Sequence, residues 1–254
     1  IKSSAAVFGA TDCNGLFSKK IPITAMIGDS HAAAFGEGCF EKGTAKATLG
    51  TGCSILMNIG EKPVQSKNGM VTTVCWSIDG RIDYALEGVI VSCGATIEWL
   101  KNELNLFTDS RETAAMATAV ADNGGVYLIP AFSGLGSPHW DMERRASLTG
   151  MSFGTTKNHI VRAALESIPY QVKDVIVAME KDAGVSLKEL NADGGITGNV
   201  FVVQFLADLL QKNVATIGNP DVSALGAAYL SGLQSGVYLS IEHLQQLNKE
   251  KKYY

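Results

Sequence analysis

The chain has 254 residues, of which 46% are hydrophobic and 18% are charged, and its formal net charge is −4 at pH 7. This length and composition are typical of a globular protein with one large core or two modest ones. The scattered lysines and arginines form no basic face of the kind that binds nucleic acid, and no apolar run is long enough to cross a bilayer. We therefore expect neither a nucleic-acid nor a membrane partner, and no secretory signal.

The five cysteines lie far apart in the sequence, at Cys13, Cys39, Cys53, Cys75 and Cys93. Their count is odd, no two form a CxxC pair, and several lie in apolar runs. These features favour buried free thiols in a reducing cytoplasm over a disulfide framework or a metal site. The four histidines also lack metal-ligand spacing. Because the sequence opens on Ile1 rather than methionine, we expect it to be a fragment.

Strand patterns dominate the first part of the chain. They are predicted at 21–27, 45–49, 54–59, 71–78 and 81–86. The turns Gly50-Thr51-Gly52 and Asp79-Gly80 indicate two β-hairpins. The first strand is expected to be buried, and a short helix at 32–35 follows it.

Helices and strands alternate in the rest of the chain. Helices are predicted at 95–104, 111–121, 158–180, 201–210 and 224–233, and strands at 126–129, 190–192 and 214–217. Pro169 is expected to kink or split the longest helix, and the tail at 243–254 reads as a frayed helix. Hairpins followed by alternating elements predict an α/β fold with a mixed sheet flanked by helices.

The aromatic segment "FSGLGSPHWD" at 132–141 is predicted to be a loop. Its His139 and Asp141 are not assigned to catalysis, because no nucleophile signature accompanies them. Trp140 is expected in the core, and Glu166 in the longest helix is expected to make a structural hydrogen bond.

Asp29, in "MIGDSHAAAFGEG", follows an apolar run and has no cation beside it in the sequence. A carboxylate in such a position needs water, a metal ion or a substrate hydroxyl as its partner. The alternative is that Asp29 caps the short helix that follows, and the two roles can coexist. His31, two residues later, is equally consistent with a substrate contact and a structural role.

Three glycine-rich turns follow predicted strands: Gly50-Thr51-Gly52, the segment at Gly94, and Gly194-Gly195 with Gly198-Asn199. Such turns bring backbone N–H groups close to anions, and Gly94 stands where a helix N-terminus is expected to point its donors outward. For any single turn, close packing or positive φ is the better explanation. Together with the aspartate at a strand end, the three turns favour nucleotide binding.

Several blocks of the sequence resemble, in the same order, the C-terminal domain of the FGGY carbohydrate kinases, those related to glycerol kinase. They include "GDSHAAAFGEGCFEKGTAKATLGTGCSILMNIG", "YALEGVIVSCGATIEWL", "IPAFSGLGSPHWD" and "DGGITGNVFVVQFLADLL". The segment at 146–166 is similar to the second signature of that family. The resemblance extends over residues 23–238.

This resemblance implies an actin-like ATPase (ribonuclease H-like) fold, with residues 1–254 as a single C-terminal domain. It implies transfer of the γ-phosphoryl group of ATP, with Mg²⁺, to a hydroxyl of a sugar or polyol. The partner would be an N-terminal kinase domain of the same polypeptide, and homo-oligomers are allowed for. We expect a cytoplasmic protein whose isolated C-terminal domain is a poor catalyst, since half of the cleft is absent.

The resemblance also implies roles for individual residues. Asp29 matches the general base, with a contact to Mg²⁺ directly or through water. The positions that match nucleotide contacts are Gly50, Thr51, Gly52, Gly94, Ile97, Glu98, Gly195 and Asn199. Substrate contacts fall on Asp29, Ser30 and Ser54.

Two of the substrate positions depart from the pattern of glycerol kinases, which have glutamine at the position of Ser30 and phenylalanine at that of Ser54. The smaller, polar side chains favour a larger or more hydroxylated acceptor, such as a ketose or a tetritol. Glu98 also departs, since an amide is more familiar there. The competing hypothesis is a non-catalytic actin-like module that binds nucleotide as a conformational switch.

Overall fold

The computed structural model describes residues 1–218, 221–247 and 251–254. The strands are β1 (Ala5–Thr11), β2 (Ile21–Ala25), β3 (Thr44–Leu49), β4 (Cys53–Gly60), β5 (Val71–Ile78), β6 (Arg81–Ile90), β7 (Tyr127–Ile129), β8 (Ser147–Thr149), β9 (Glu189–Asp193), β10 (Val214–Ile217) and β11 (Lys251–Tyr253). The helices are α1 (Asp29–Gly36), α2 (Gly94–Asn102), α3 (Thr113–Thr118), α4 (Lys157–Ala183), α5 (Val200–Leu210), α6 (Val222–Gln234) and α7 (Ile241–Leu247). Short 3₁₀ helices lie at Ser110–Glu112 and Gly195–Gly198.

The main sheet has seven strands in the order β11-β10-β9-β3-β4-β6-β5. Strand β9 runs parallel to both β3 and β10, and the remaining neighbours are antiparallel. The predicted mixed sheet and both predicted hairpins are therefore confirmed. In the β5–β6 turn, Asp79 and Gly80 both have positive φ, as this dipeptide predicts.

Alternation along β3 separates the two faces of the sheet. Ala45, Ala47 and Leu49 are fully buried in the larger hydrophobic cluster, to which α4 and α5 contribute. Lys46 and Thr48 point to the opposite face, since successive strand residues alternate sides. The smaller cluster, which includes Phe35 of α1, combines residues of α1, β4, β5, β6 and α6.

Helices α1 and α6 are packed very closely. A Cβ atom on Gly226 would lie 1.7 Å from the carbonyl oxygen of Ala32, and one on Gly36 would lie 2.5 Å from that of Val222. Only glycine allows the two backbones to approach in this way. The contact fixes α1, and therefore Asp29 at its first position, over one face of the sheet.

The predicted burial of strand 21–27 is wrong. Strand β2 pairs with β1 in a separate two-stranded sheet, and only Thr24 of its residues is buried. Only one side of β2 is covered, because the strand packs on α6. Ile21 and Ile23 therefore stay exposed. Strand β7 likewise pairs with β8, a strand that was not predicted.

Pro169 does not split the longest helix, since α4 continues through it from Lys157 to Ala183. The residues on both sides of the proline, including Leu165, Ile168 and Val172, are buried in the larger cluster. Packing of this kind outweighs the cost of about 3 kcal/mol for an interior proline.

The tail is also different from the prediction. Helix α7 ends at Leu247, and Lys251–Tyr253 forms edge strand β11 beside β10 rather than a frayed helix. Positions 248–250 of that prediction lie outside the described residues. The Lys251 ammonium donates to Glu189 at 2.8 Å and to Asn191 at 2.7 Å, which attaches the edge strand to β9.

Trp140 is not a core residue. It is 51% exposed, has positive φ, and donates its indole N–H to the carbonyl of Gly69 at 2.7 Å. All five cysteines are free thiols, and four of them are buried, with Cys13 exposed. Among the described residues, no helix combines the length and apolar character needed to span a membrane.

Candidate functional site

The Gly50-Thr51-Gly52 turn between β3 and β4 rests directly on the start of α2. The carbonyl of Gly50 accepts the N–H of Gly94 at 2.9 Å, and that of Thr51 accepts the N–H groups of Cys93 at 2.9 Å and Ala95 at 3.1 Å. The expectation that the helix N-terminus at Gly94 points its donors outward is therefore wrong for Gly94 and Ala95. Their N–H groups hold the turn in place instead.

Close backbone packing explains several of the glycines. A Cβ atom would lie 2.7 Å from the Gly50 oxygen if placed on Gly94, 2.8 Å from the Ile90 oxygen on Gly52, and 2.5 Å from the Leu49 oxygen on Gly194. Gly195 differs, because nothing lies within 4 Å of such an atom. The three predicted turns thus meet in space, and Gly195 is the position that leaves room beside them.

A cavity of about 610 Å³ opens where these turns meet. Of the positions predicted to contact nucleotide, it is lined by Gly50, Thr51, Gly94, Ile97, Glu98 and Gly195. The sequence reading missed its other walls, which include Leu49, Ala95, Ser110 and Ile196. Ile97 is 3% exposed, whereas the Glu98 side chain is 55% exposed and lies 4.0 Å from Lys101.

Asn199 is not among the residues that line this cavity. Its side-chain oxygen accepts the N–H of Val202 and caps α5, and its amide nitrogen donates to Thr113 at 3.0 Å. Both ends of the amide therefore have protein partners, and a nucleotide contact at Asn199 stays a prediction. The N-cap position of α5 favours asparagine, so this capping role accounts for Asn199 without any ligand.

A second cavity, of about 560 Å³, lies on the other side of the same turn. Its polar walls are Asp29, Ser30, Lys46, Thr48, Ser54, Glu87 and Ser223. Gly50 lines both cavities, and Gly52 lines this one. The predicted base and substrate residues are thus brought together, one turn away from the predicted nucleotide residues.

The carboxylate of Asp29 is exposed at the start of α1. One oxygen accepts the N–H of Ser30 at 2.7 Å, but Asp29 belongs to none of the ion pairs found among the described residues. It is not a standard helix cap, since Gly28 holds the cap position and the bond to Ser30 spans a single residue. The second oxygen is available to a ligand in the cavity.

Lys46 is a site residue that the sequence reading missed. It is 1% exposed, and its ammonium donates to Ser30 Oγ at 2.7 Å and to Thr48 Oγ1 at 2.8 Å. Ser30 Oγ lies 2.9 Å from Ser54 Oγ, so the two predicted substrate residues form a hydroxyl pair. The available signal was a lone lysine in the small-residue strand "TAKATL".

A buried acid lies beneath this network. Burial raises the pKa of the fully buried Glu37 well above its ordinary value of 4.5. The charge of Asp193 and a hydrogen bond with Asp193 raise this pKa further, while the charges of Lys46 and Lys251 lower it. As a carboxylate, Glu37 has no hydrogen-bond donor within the described residues. Protonated, it can donate to Asp193, which also accepts the hydroxyl of Thr48 at 3.0 Å.

The remaining candidates have structural partners. His31 Nε2 lies 3.2 Å from Thr73 Oγ1, and burial lowers the pKa of its imidazole. Glu166 accepts from Arg162 at 2.7 Å and from Asn123 at 3.0 Å, as expected. His139 lies 3.3 Å from Asp174, outside both cavities.

No group of three or more His, Cys, Asp or Glu side chains suited to a metal ion occurs in the described part of the chain. Mg²⁺ does not require such a cage when it binds with nucleotide, because phosphates and waters supply most of its ligands. The carboxylate of Asp29, which belongs to none of the ion pairs among the described residues, fits a single protein ligand of that kind.

A family model described as "FGGY family of carbohydrate kinases, C-terminal domain" matches residues 45–235. The chain belongs to the FGGY family of carbohydrate kinases. It is 48% identical over 244 residues to the glycerol kinase of Carboxydothermus hydrogenoformans, covering 96% of this chain and 49% of that protein. The glycerol kinase of Clostridium beijerinckii is also 48% identical, over 97% of this chain and 49% of its own length.

Solved structures of FGGY kinases share the fold. A Plasmodium falciparum glycerol kinase with ADP superposes with a TM-score of 0.93 at 36% identity, over 99% of this chain and 50% of that one. A xylulose kinase from Lactobacillus acidophilus gives 0.88 at 19% identity, over 100% of this chain and 52% of that one, which bears on the fold alone. The expected actin-like ATPase fold is thereby confirmed. The chain spans about half the length of the relatives it matches.

Proposed function

We propose that this chain works in the ATP-dependent phosphorylation of a hydroxyl group on a sugar or polyol. It would supply the general base and most of the nucleotide site. The observation that carries the proposal is the meeting of two cavities at Gly50, one holding the unpaired carboxylate of Asp29 and the other the predicted nucleotide residues. The names of the two relatives at 48% identity, both glycerol kinases, support the same reaction class.

In this proposal Asp29 accepts the proton of the acceptor hydroxyl as its oxygen attacks the γ-phosphorus. Phosphoryl transfer depends mainly on positioning and on charge stabilisation, with the base orienting the nucleophile. The turn at Thr51 lies between the two cavities and would hold the β- and γ-phosphates. Mg²⁺ would supply charge neutralisation on the phosphates, and Asp29 would contact it directly or through water.

The nucleotide would lie against Gly50, Thr51, Gly94, Ile97 and Gly195. The buried Ile97 offers an apolar surface to the base or ribose, and the unobstructed Gly195 allows a phosphate or sugar to approach the backbone. ADP in the Plasmodium falciparum relative supports ATP as the co-substrate.

The acceptor is proposed to be larger or more hydroxylated than glycerol. Ser30 and Ser54 form a polar wall in the cavity that holds Asp29, where an aromatic side chain would give an apolar one. A polar wall of this kind selects substrates with an oxygen to match it, since leaving it unpaired is costly. Ketoses and tetritols meet that requirement.

The relatives are about twice as long as this chain. We propose that an N-terminal domain of the same polypeptide corresponds to the part of the relatives that this chain does not cover. Asp29 and Glu87 line an open cavity that a facing domain would close off from water. A closed cleft strengthens the electrostatic interactions on which phosphoryl transfer depends.

We also propose a cytoplasmic location, because four buried cysteines carry free thiols.

Asp29→Asn tests the proposal. The test uses a full-length polypeptide in which this chain is preceded by the proposed N-terminal domain. Turnover should fall by about 10²- to 10⁴-fold, while ADP affinity stays within about threefold. Asp79→Asn is the matched control, because Asp79 is exposed in the β5–β6 turn and asparagine tolerates its positive φ. The assay is ADP release over glycerol, tetritols and ketopentoses.

Retained turnover in Asp29→Asn rejects Asp29 as the base. Absence of turnover in the unmodified polypeptide with every acceptor, together with normal ATP binding, favours the alternative of a nucleotide-dependent switch. The specific observation behind that alternative is that Asp29 does not line the nucleotide cavity.

A further inference from the structure

Lys46 is a buried cation without an ion-pair partner. It is 1% exposed, and none of the ion pairs that involve described residues includes it. Its hydrogen bonds go to two hydroxyl groups, Ser30 at 2.7 Å and Thr48 at 2.8 Å. Because an unpaired buried charge is costly, its retention at the wall of the Asp29 cavity calls for a specific role.

An ammonium group only donates hydrogen bonds, so both hydroxyl oxygens must accept from Lys46. Thr48 therefore turns its own hydrogen to Asp193, at 3.0 Å. Ser30 and Ser54 share one bond of 2.9 Å, which uses one of their two hydroxyl hydrogens. Since Ser30 cannot donate back to Lys46, the second hydrogen of the pair remains for a ligand in the cavity that both serines line.

We propose that Lys46 is a positioning residue that sets the Ser30–Ser54 pair as a hydrogen-bond donor toward the acceptor molecule. This inference rests on the proposed function and deepens it. Asp29 and Glu87 on the same cavity are carboxylates and accept hydrogen bonds. The acceptor molecule is thereby defined as one with a hydroxyl that donates to a carboxylate and a second oxygen that accepts from a serine.

A vicinal polyol or a ketose carries both groups, whereas a mono-alcohol, or an analogue deoxygenated at the carbon that faces the serine pair, lacks the second oxygen. A cavity with a fixed donor discriminates against the deoxy compound, because the donor is left without a partner. Without Lys46, the Ser30 oxygen loses the donor that holds it, and the Ser30 hydroxyl can turn away from the cavity toward the vacated position. The site would then distinguish the two compounds less well.

The competing explanation is that Lys46 only balances the buried acids Glu37 and Asp193. A purely structural role lowers stability but leaves the preference between a polyol and its deoxy analogue unchanged. Thr48→Val isolates this arm of the network, because it removes the contact toward Asp193 without touching either serine.

The test is Lys46→Met in a full-length polypeptide, in which the proposed N-terminal domain precedes this chain. Binding and turnover are measured for erythritol, xylulose and their deoxy analogues. We expect KM for the hydroxylated acceptor to rise about tenfold, the preference over the deoxy analogue to fall about tenfold, and ADP affinity to change less than threefold. Ser30→Ala should give the same loss, and the double variant should lose no more than either single one. Lys188→Met, at an exposed ion pair with Glu41, is the matched control.

An unchanged preference in Lys46→Met, or a loss equal to that in Thr48→Val, overturns the proposal. If Lys46→Met does not fold, Ser30→Ala decides between the same two outcomes. If the unmodified polypeptide binds an acceptor without phosphorylating it, the proposed function fails while the binding preference still tests Lys46. If it binds none of the compounds, both proposals fail.

Discussion

Gly94→Ala and Gly195→Ala separate two uses of glycine in the nucleotide cavity, which both residues line. The Cβ atom of alanine at position 94 would lie 2.7 Å from the Gly50 oxygen, whereas ordinary contact begins at 3.4 Å, so the turn must move by about 0.7 Å. At position 195 the same atom meets nothing within 4 Å. The first change disturbs the fold, and the second enters only the space open to a ligand.

The expected magnitudes follow from this difference. Overpacking against backbone costs about 1–3 kcal/mol, and higher helix propensity offsets up to about 1 kcal/mol of it in Gly94→Ala. The middle of the resulting range, a net loss of about 1–2 kcal/mol, corresponds to a fall in Tm of about 2–8 °C for a chain of this size. Gly195→Ala should keep its stability or gain up to about 1 kcal/mol.

Nucleotide binding should respond in both variants, for different reasons. Gly94→Ala moves the turn that carries Thr51, and Gly195→Ala places a methyl group against the ligand, so ADP affinity should fall about tenfold or more in each. Thermal unfolding and calorimetric titration with ADP measure the two quantities on the same samples. Wild-type stability in Gly94→Ala would refute the close-packing argument. Wild-type ADP affinity in Gly195→Ala would refute its place in the nucleotide site.

Two further substitutions test the packing and the buried acid. Gly226→Ala should lower the free energy of unfolding by about 3 kcal/mol or more, because its methyl carbon would lie 1.7 Å from the Ala32 oxygen. Urea unfolding measures this loss, and Gly9→Ala is the control because its methyl group meets nothing within 4 Å. An unchanged unfolding midpoint in Gly226→Ala contradicts the prediction. Glu37→Gln should stabilise the chain at pH 7, because the folded state raises the pKa of Glu37 above 4.5 and the stability of the wild type therefore falls as pH rises from 4.5 toward the folded pKa. Urea unfolding from pH 4 to pH 8 should show the advantage of Glu37→Gln growing with pH, and a constant difference would show that Glu37 does not titrate in this way.

Local turn chemistry made the hairpins predictable from the sequence. Asp79-Gly80 and Gly50-Thr51-Gly52 specify their turns through residues that are adjacent in the chain, and both hairpins formed as predicted. The grouping of Asp29 with Ser30 and Ser54 came from the family resemblance, since no local pattern joins residues in α1 and β4. Burial was less predictable, as Trp140 and β2 show, because it depends on which element covers a segment.

Lys46 illustrates what the sequence does not reveal. Its alternation with Ala45 and Ala47 was visible in the strand pattern, but its partners were not. The bond from Thr48 to Asp193 depends on the parallel pairing of β3 with β9, and the bond to Ser30 depends on how α1 lies over the sheet. Contacts of this range arise from topology, which strand propensity does not encode.

The two faces of β3 explain how the site and the core can coexist in one strand. Leu49 and its alternate neighbours fill the larger cluster, while Lys46 and Thr48 carry the polar network on the other face. The strand then ends in the turn whose carbonyl groups are held by the start of α2. Because a one-residue slip would exchange the two faces, the packing of the apolar side chains also fixes the register of the polar ones. The hydrophobic core therefore determines where the serine pair and Asp29 lie relative to the nucleotide cavity.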